Sequence, residues 1–215
     1  MAANSINRKP IKAGGAGRRP HALLGYRVVE TSWGHCGLLY CQVNCCSLLR
    51  RIFPAHPSQE ALLKNIKAFL PRPRKGRPSP PPAAEPLWIK QLAAFLTRYY
   101  QDGYDPRGKS PDFWPIWRDV VDWSVCTPFD QAVLARVAVI PPGQTITYGA
   151  LAKAIGREGS ARAVGGALGR NPFPILIPCH RVLGANGKMT GFSAPGSVGA
   201  KQRMLTLESQ SGCCR

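Results

Sequence analysis

Acidic side chains are scarce in this sequence. Its 215 residues carry 11 Asp and Glu against 29 Lys and Arg, a formal net charge of +18 at pH 7. A surplus of that size favours a polyanionic partner, with nucleic acid ahead of an acidic membrane surface, and is silent about fold. No run of eighteen apolar residues occurs, which excludes a transmembrane helix. The first residues, MAANSINRKPIKAGGAGRRPH, are basic but contain no apolar stretch, so they do not read as a secretory signal. Without such a signal the eight cysteines, at positions 36, 41, 45, 46, 126, 179, 213 and 214, are not expected to form a disulfide framework. The same reasoning, with the use of a free thiol, gives a cytoplasmic protein, or a nuclear one in a eukaryote. No C-x-x-C pair is present either. His35, Cys36, Cys41, Cys45 and Cys46 lie close together, but Cys45 and Cys46 are adjacent and the spacing suits zinc poorly, so no metal site is expected. GLLYCQVNCCSLL reads better as buried strand, with Cys as a small apolar residue.

What remains is globular in composition, at 44% hydrophobic and 19% charged residues. Residues 1–24 read as a basic disordered arm (Arg8, Lys9, Lys12, Arg18, Arg19). Residues 25–126 read as a small α+β domain with mostly antiparallel strands. Tyr26 to Thr31 is one strand, and Cys36 to Leu49 is one or two more, with Gly34 and Asn44 at turns. Ser58 is placed to cap a helix carrying Leu62, Leu63, Ile66, Phe69 and Leu70 and ended by Pro71. A basic, Pro-rich loop follows at 71–85. Pro86 suits the first turn of a helix that continues through Leu92, Phe95, Leu96 and Tyr99. FWPIWRDVV, residues 113–121, has strand-like composition.

A second unit, 127–210, opens on Thr127-Pro128, a cap followed by proline at the first helical position. Its first helix runs from Phe129 to Val139, then a turn at Pro141-Pro142-Gly143 and a short strand at 145–147. The next helix runs from Tyr148 to Ile155 and is closed by Gly156. Ser160 is expected to cap another, ending near Gly169. Two short helices joined by a tight Gly-containing turn make a helix-turn-helix pattern. The last helix runs from Val198 to Leu207, and 211–215 is a polar tail. The helix SARAVGGALG carries Gly165 and Gly166 in its interior, each costing about 1 kcal/mol against alanine. Close helix packing would explain them, and so would close approach to a nucleic-acid backbone. Arg162 is its single long polar side chain and could fill the space of a displaced base.

Chemistry concentrates in NPFPILIPCHRV, residues 171–182. Its prolines stiffen the loop that carries Cys179 beside His180. A buried structural cysteine is one reading of Cys179. A nucleophile is the other, since the thiolate is the reactive form and a neighbouring base must create it. Adjacent side chains tend to diverge, so a bridging water would carry the proton from Cys179 to His180. A carboxylate should orient the imidazole. After Asp130 the only acids are Glu158 and Glu208, and Glu208 is preferred because Glu158 falls in an exposed turn.

PILIPCHRV, preceded by RAVGGALGRNP, closely resembles the methylated-DNA–protein-cysteine methyltransferases, the O6-alkylguanine-DNA alkyltransferases. The resemblance is strong from Thr127 to Glu208 and weaker over 25–126. It implies an N-terminal ribonuclease-H-like domain and a C-terminal, winged helix-turn-helix-like domain that binds DNA and carries catalysis. It implies direct, single-turnover transfer of an alkyl group from the guanine oxygen to Cys179, with no cofactor and with double-stranded DNA containing O6-alkylguanine as the partner of a monomer. Under the resemblance His180 deprotonates Cys179 through water, Glu208 orients His180, and Asn171 braces the turn. Tyr148 helps rotate the nucleotide out and bonds the base, and Arg162 replaces the flipped base. Ser193 lies near the guanine oxygen, and Val182 belongs to the pocket. Ser160, Ala161, Gly165 and Gly166 fall on the minor-groove helix. Departures are Leu134 where Trp is frequent, Phe192 where Tyr is frequent, and a longer segment SAPGSVGA before Lys201. These bear on the size of the substrate accepted. Rival readings are a non-catalytic alkyl-lesion-binding protein, a cysteine hydrolase, and a basic DNA-binding module with a structural cysteine.

Overall fold

Three strands and the turns between them set the frame of the N-terminal half. In the computed structural model, which describes residues 23–44, 46–71, 83–102, 117–189 and 197–210, β1 (Leu23–Thr31), β2 (Gly34–Val43) and β3 (Cys46–His56) form an antiparallel sheet in that order. Gly34 starts β2 at φ +113°, where an added Cβ would sit 2.4 Å from the His56 carbonyl oxygen, so only glycine fits. β2 is the central strand, and its six residues from Cys36 to Cys41 are all buried because both faces of the sheet are covered. The pleat divides them by period two. Leu39, with Phe53 of β3, meets Leu62 and Ile66 of helix α1 (Gln59–Lys67). Cys36, Leu38 and Tyr40 share the opposite, larger core with Ile89, Leu92, Leu96, Tyr99 and Tyr100 of helix α2 (Leu87–Asp102). Cys36, Cys41 and Cys46 are here strand residues: Cys36 and Cys41 are fully buried, and burial pushes the Cys36 thiol up to about 12.

Ser58 caps α1, accepting from the Ala61 amide at 3.2 Å. The helix stops at Lys67, short of Pro71. Phe69 and Leu70 bond back to the carbonyls three residues earlier, which tightens the final turn, and the Phe69 ring packs edge-on to Phe53 at 5.5 Å. The strand expected over 113–121 is not formed where it is described. Trp117 is helical, 118–120 is a turn, and only Val121 bridges, in parallel, to Leu49. Asp122 explains the break. Its amide bonds Leu49 at 2.8 Å, but its side chain then turns inward to accept from the Ser124 amide and start a 3-10 turn, Trp123–Val125.

The C-terminal half is helical. Thr127 caps helix α3 (Pro128–Ala138), accepting from the Asp130 amide at 3.1 Å. Strand β4 (Ile146–Thr147) runs directly into helix α4 (Tyr148–Ala154), and Thr147 caps it at 3.1 Å, a cap that the strand reading of 145–147 concealed. Gly156 turns the chain at φ +68°. Helix α5 (Ala161–Gly169) follows. Ser160 occupies its cap position but its hydroxyl makes no capping bond, because its backbone (φ −91°, ψ 26°) is not the extended conformation that aims a side chain at the first amides. A rigid loop leads to β5 (Val182–Leu183), parallel to β4, and helix α6 (Ser197–Gln210) closes the fold. The fold class is mixed α and β. One apolar core runs from α2 and the sheet through Phe173 and Ile177 to Val133, Leu134 and Met204. No helix among the described residues is long and apolar enough to cross a membrane.

Candidate active site

The loop from Asn171 to Pro178 holds its shape through one side chain and three prolines. Asn171 accepts from the Phe173 amide and donates to the Ile177 carbonyl, both at 2.9 Å, so its amide bridges the base of the loop. Ile177 N–H closes onto the Phe173 carbonyl at 2.8 Å. Between them Ile175 sits at φ +76°, a conformation that costs a β-branched residue about 1–3 kcal/mol and is held by the surrounding structure. The sheet supplies part of that support, since the Ile52 amide of β3 donates to the Pro172 carbonyl at 2.8 Å. The loop delivers a single 3-10 turn, Cys179–Arg181.

Cys179 is 9% exposed. Burial pushes its thiol up from the ordinary 9.0, opposed by a hydrogen bond with the Asn171 side chain and by the charge of Lys201. At rest it is a protonated thiol, and it becomes a nucleophile only as its proton leaves. His180 turns away from it into the interior. Its Nε2 lies 2.8 Å from Glu208 Oε1. Burial lowers its pKa from the ordinary 6.5, and Glu208 works against that. The imidazole is therefore neutral at rest, with Nε2 carrying the proton that Glu208 accepts and Nδ1 as the basic nitrogen.

Glu208 is the hub. Arg181 grips it with both arms of its fork, Nε to Oε2 at 2.8 Å and Nη2 to Oε1 at 2.7 Å, while Arg181 also donates to the Ile140 carbonyl. Burial alone would raise the carboxyl, but the hydrogen bonds from His180 and Arg181 outweigh it and hold the group at about 2. Glu208 lies inside α6 rather than at its end, and Glu158 is exposed on the turn between α4 and α5. Three partners of this centre were not singled out in the sequence. Arg181 stands inside the PCHRV motif, so its position was the available signal. Tyr99 of α2 donates to Glu208 Oε1 at 3.2 Å. Lys201 of α6 is 1% exposed, donates to the Val182 carbonyl at 2.6 Å, and lies 5.8 Å from the Tyr148 ring centre. A lysine on the last helix gave no sign of burial.

Tyr148, half-buried, opens α4. Val182 is fully buried, and its carbonyl rather than its side chain carries the contact with Lys201. Leu134 is also fully buried in the core. On α5, Val164, Ala167 and Leu168 face inward, while Arg162, Ala163, Gly166 and Gly169 are exposed and Ala161 and Gly165 are half-buried. The glycines are not forced by internal packing. A Cβ on Gly165 would meet the Tyr148 ring at an ordinary 3.7 Å, one on Gly166 only the tip of Arg170 at 3.3 Å, and one on Gly169 nothing within 4 Å. Arg170 is anchored to Asp130 of α3 at 2.6 Å. Phe192 and Ser193 lie outside the described residues. Among the described residues no three His, Cys, Asp or Glu side chains gather as a metal site.

Residues 128–210 match the family model of the 6-O-methylguanine DNA methyltransferase DNA-binding domain. A methylated-DNA–protein-cysteine methyltransferase of Shigella flexneri is 50% identical over 82 residues, 38% of this chain and 47% of that protein. The Methanothermobacter thermautotrophicus protein of the same name is 45% identical over 92 residues, 43% of this chain and 50% of its own length. The chain thus aligns with about half the length of the curated relatives it matches. The likeness of fold reaches further. A crystal structure of Mycobacterium tuberculosis O6-methylguanine methyltransferase is similar at a TM-score of 0.57 and 28% identity, over 90% of this chain and 97% of that one. The same mycobacterial protein solved in complex with DNA gives 0.57 and 28%, over 87% and 94%. The matched segment contains α3 to α6, the Asn171–Pro178 loop, Cys179, His180, Lys201 and Glu208. Tyr99 and Ile52 lie outside it.

Proposed function

We propose that this chain repairs O6-alkylguanine in double-stranded DNA by moving the alkyl group, once per protein molecule, onto Cys179. The observation that carries the reading is the buried Cys179 thiol on a braced loop, with His180, Glu208 and Arg181 linked behind it, in a segment that matches the methyltransferase family model. Direct transfer needs a thiol kept quiet until substrate arrives and a base held in one tautomer. Burial supplies the first and the Glu208 carboxylate the second.

The lesion must leave the duplex to reach a thiol in this position, and flipping a base costs a few kcal/mol. Arg162 is exposed on α5 and long enough to occupy the vacated stack. The exposed small face of Ala163, Gly166 and Gly169 fits close approach to a groove, and it lacks an internal packing reason. We read α4 and α5 as the helix-turn-helix of a winged-helix-like domain spanning 127–210, and residues 25–126 as a ribonuclease-H-like domain that supports it. The protein acts as a monomer.

In the step itself the thiol proton passes through water to His180. The sulfur forms a bond to the alkyl carbon as the bond from that carbon to the guanine oxygen breaks. The electron pair of the broken bond stays with the guanine, which takes a proton in turn, so the thiol proton is in effect exchanged for the alkyl group. We assign Tyr148, which opens α4 with its ring centre 5.8 Å from Lys201 Nζ, as the donor to the base as charge develops. The product is a thioether with no leaving group, so the protein does not turn over. Mixing the protein with excess duplex bearing O6-methylguanine should convert one lesion per protein to guanine and then stop. Continued conversion would contradict the scheme, as would the absence of any.

A further inference from the structure

Tyr99 comes from outside the matched segment, yet it ends at the centre of the site. It sits on α2, 2% exposed, with its ring packed against Tyr100 at 5.5 Å and Phe95 at 6.0 Å. Its hydroxyl is 3.2 Å from Glu208 Oε1 and 3.4 Å from His180 Nε2. The packing would be served as well by phenylalanine. The hydroxyl is a buried polar group that needs a partner, and the partner it takes is the carboxylate that holds the histidine. Only one proton arrangement satisfies all three groups. Glu208 is ionised, so Oε1 accepts from His180 Nε2–H, from Arg181 and from the phenol together. A phenol proton turned to Nε2 would leave that nitrogen's lone pair facing a carboxylate. Burial and the Glu208 charge both push the phenol well above its ordinary value, so it remains a donor throughout the working range.

We propose that Tyr99 is a positioning residue for alkyl transfer: by donating to Glu208 Oε1 it fixes the His180 tautomer and tempers the support the carboxylate gives to the imidazolium. This rests on the function proposed above. The groups acting on His180 are Glu208 and Lys201 from α6, Arg181 from its own turn, and Tyr99 from α2. Tyr99 is the one among them that brings the N-terminal half into the proton path. The approach of the two halves is fixed nearby, where the Arg203 guanidinium of α6 lies 3.9 Å from the Trp33 ring centre.

The test is Tyr99→Phe in the full chain, with two readouts. One is the rate of methyl uptake from O6-methylguanine duplex between about pH 5 and 9. The other is the His180 imidazole titration in the free protein, followed by NMR. With the phenol gone the carboxylate supports the imidazolium more strongly. The His180 titration and the acid limb of the rate should both move to higher pH, with uptake on that limb reduced about threefold for a shift of half a unit. The full stoichiometry of uptake and the affinity for duplex should be kept. Incorporating 3-fluorotyrosine at position 99 keeps the ring and sharpens the donor, and should move both profiles the other way. This second arm also decides the matter should Tyr99→Phe not fold. Unmoved profiles in folded protein would overturn the proposal, and so would a loss of rate that is equal at every pH. If the wild type takes up no methyl group, the function reading fails, while the imidazole titration still decides the role of Tyr99.

Discussion

Glu208 makes its neighbourhood both stable and reactive. Four donor contacts, from His180, from two arms of Arg181 and from Tyr99, converge on one buried carboxylate. Its folded pKa of about 2 lies below the ordinary 4.5. The unfolded chain therefore binds the proton more readily, and the stabilising contribution is complete above pH 4.5 and is lost as pH falls through 2. Glu208→Gln should remove that dependence and strand the Arg181 guanidinium without its counter-charge, at a cost of about 3–5 kcal/mol. Urea unfolding at neutral pH checks the cost, and repeating it in acid checks the slope. An unchanged midpoint would mean that Arg181 finds another acceptor. The grouping of side chains at this centre was legible where it is local: Cys179, His180 and Asn171 fall within ten residues, and Glu208 followed from the shortage of acids. Tyr99 was not legible, because it reaches Glu208 across 109 positions of sequence and nothing in a helical apolar pattern marks which tyrosine hydroxyl will meet a carboxylate.

Helix α5 carries three glycines, at 165, 166 and 169, yet is held by its neighbours. Val164, Ala167 and Leu168 bury its inner face against α3 and α4, and Arg170 ties its end to Asp130. Packing within the protein does not require glycine at 166. Gly166→Ala should leave the free protein as stable as the wild type, or more stable by up to about 1 kcal/mol. It should also weaken duplex binding several-fold, because the added methyl stands on the face read as meeting DNA. Equal affinity of the two proteins for duplex would remove α5 from the interface. At this scale local rules read well where the backbone is also standard. Ser58 and Thr127 cap their helices as their residue types and positions suggest. Ser160 has the right residue type but the wrong ψ, and a residue type alone cannot report that. Of FWPIWRDVV, Trp117 and Val121 are buried in the main core without continuing a strand, a burial that strand-like composition imitates.

A sheet-and-helix half joins a helical half through one continuous core and through direct braces that include Ile52 to Pro172 and Tyr99 to Glu208. The mixed α and β class and the order of most elements could be read from hydrophobic period and turn residues. The braces could not, since they depend on which surfaces of the two halves meet. The charge of +18 acts at this scale as well. Affinity for undamaged duplex should fall linearly on a log–log plot against salt, with a slope of about −0.9 per phosphate neutralised. A flat salt response would separate the basic surface from DNA. The central claim is that Cys179 itself is consumed. Intact-protein mass after incubation with O6-methylguanine duplex, comparing wild type with Cys179→Ser, tests it most directly. The account predicts a gain of one methyl group in the wild type, mapped to Cys179, and none in the variant. A folded, DNA-binding wild type that gains no mass, or a variant that gains the same, would contradict it.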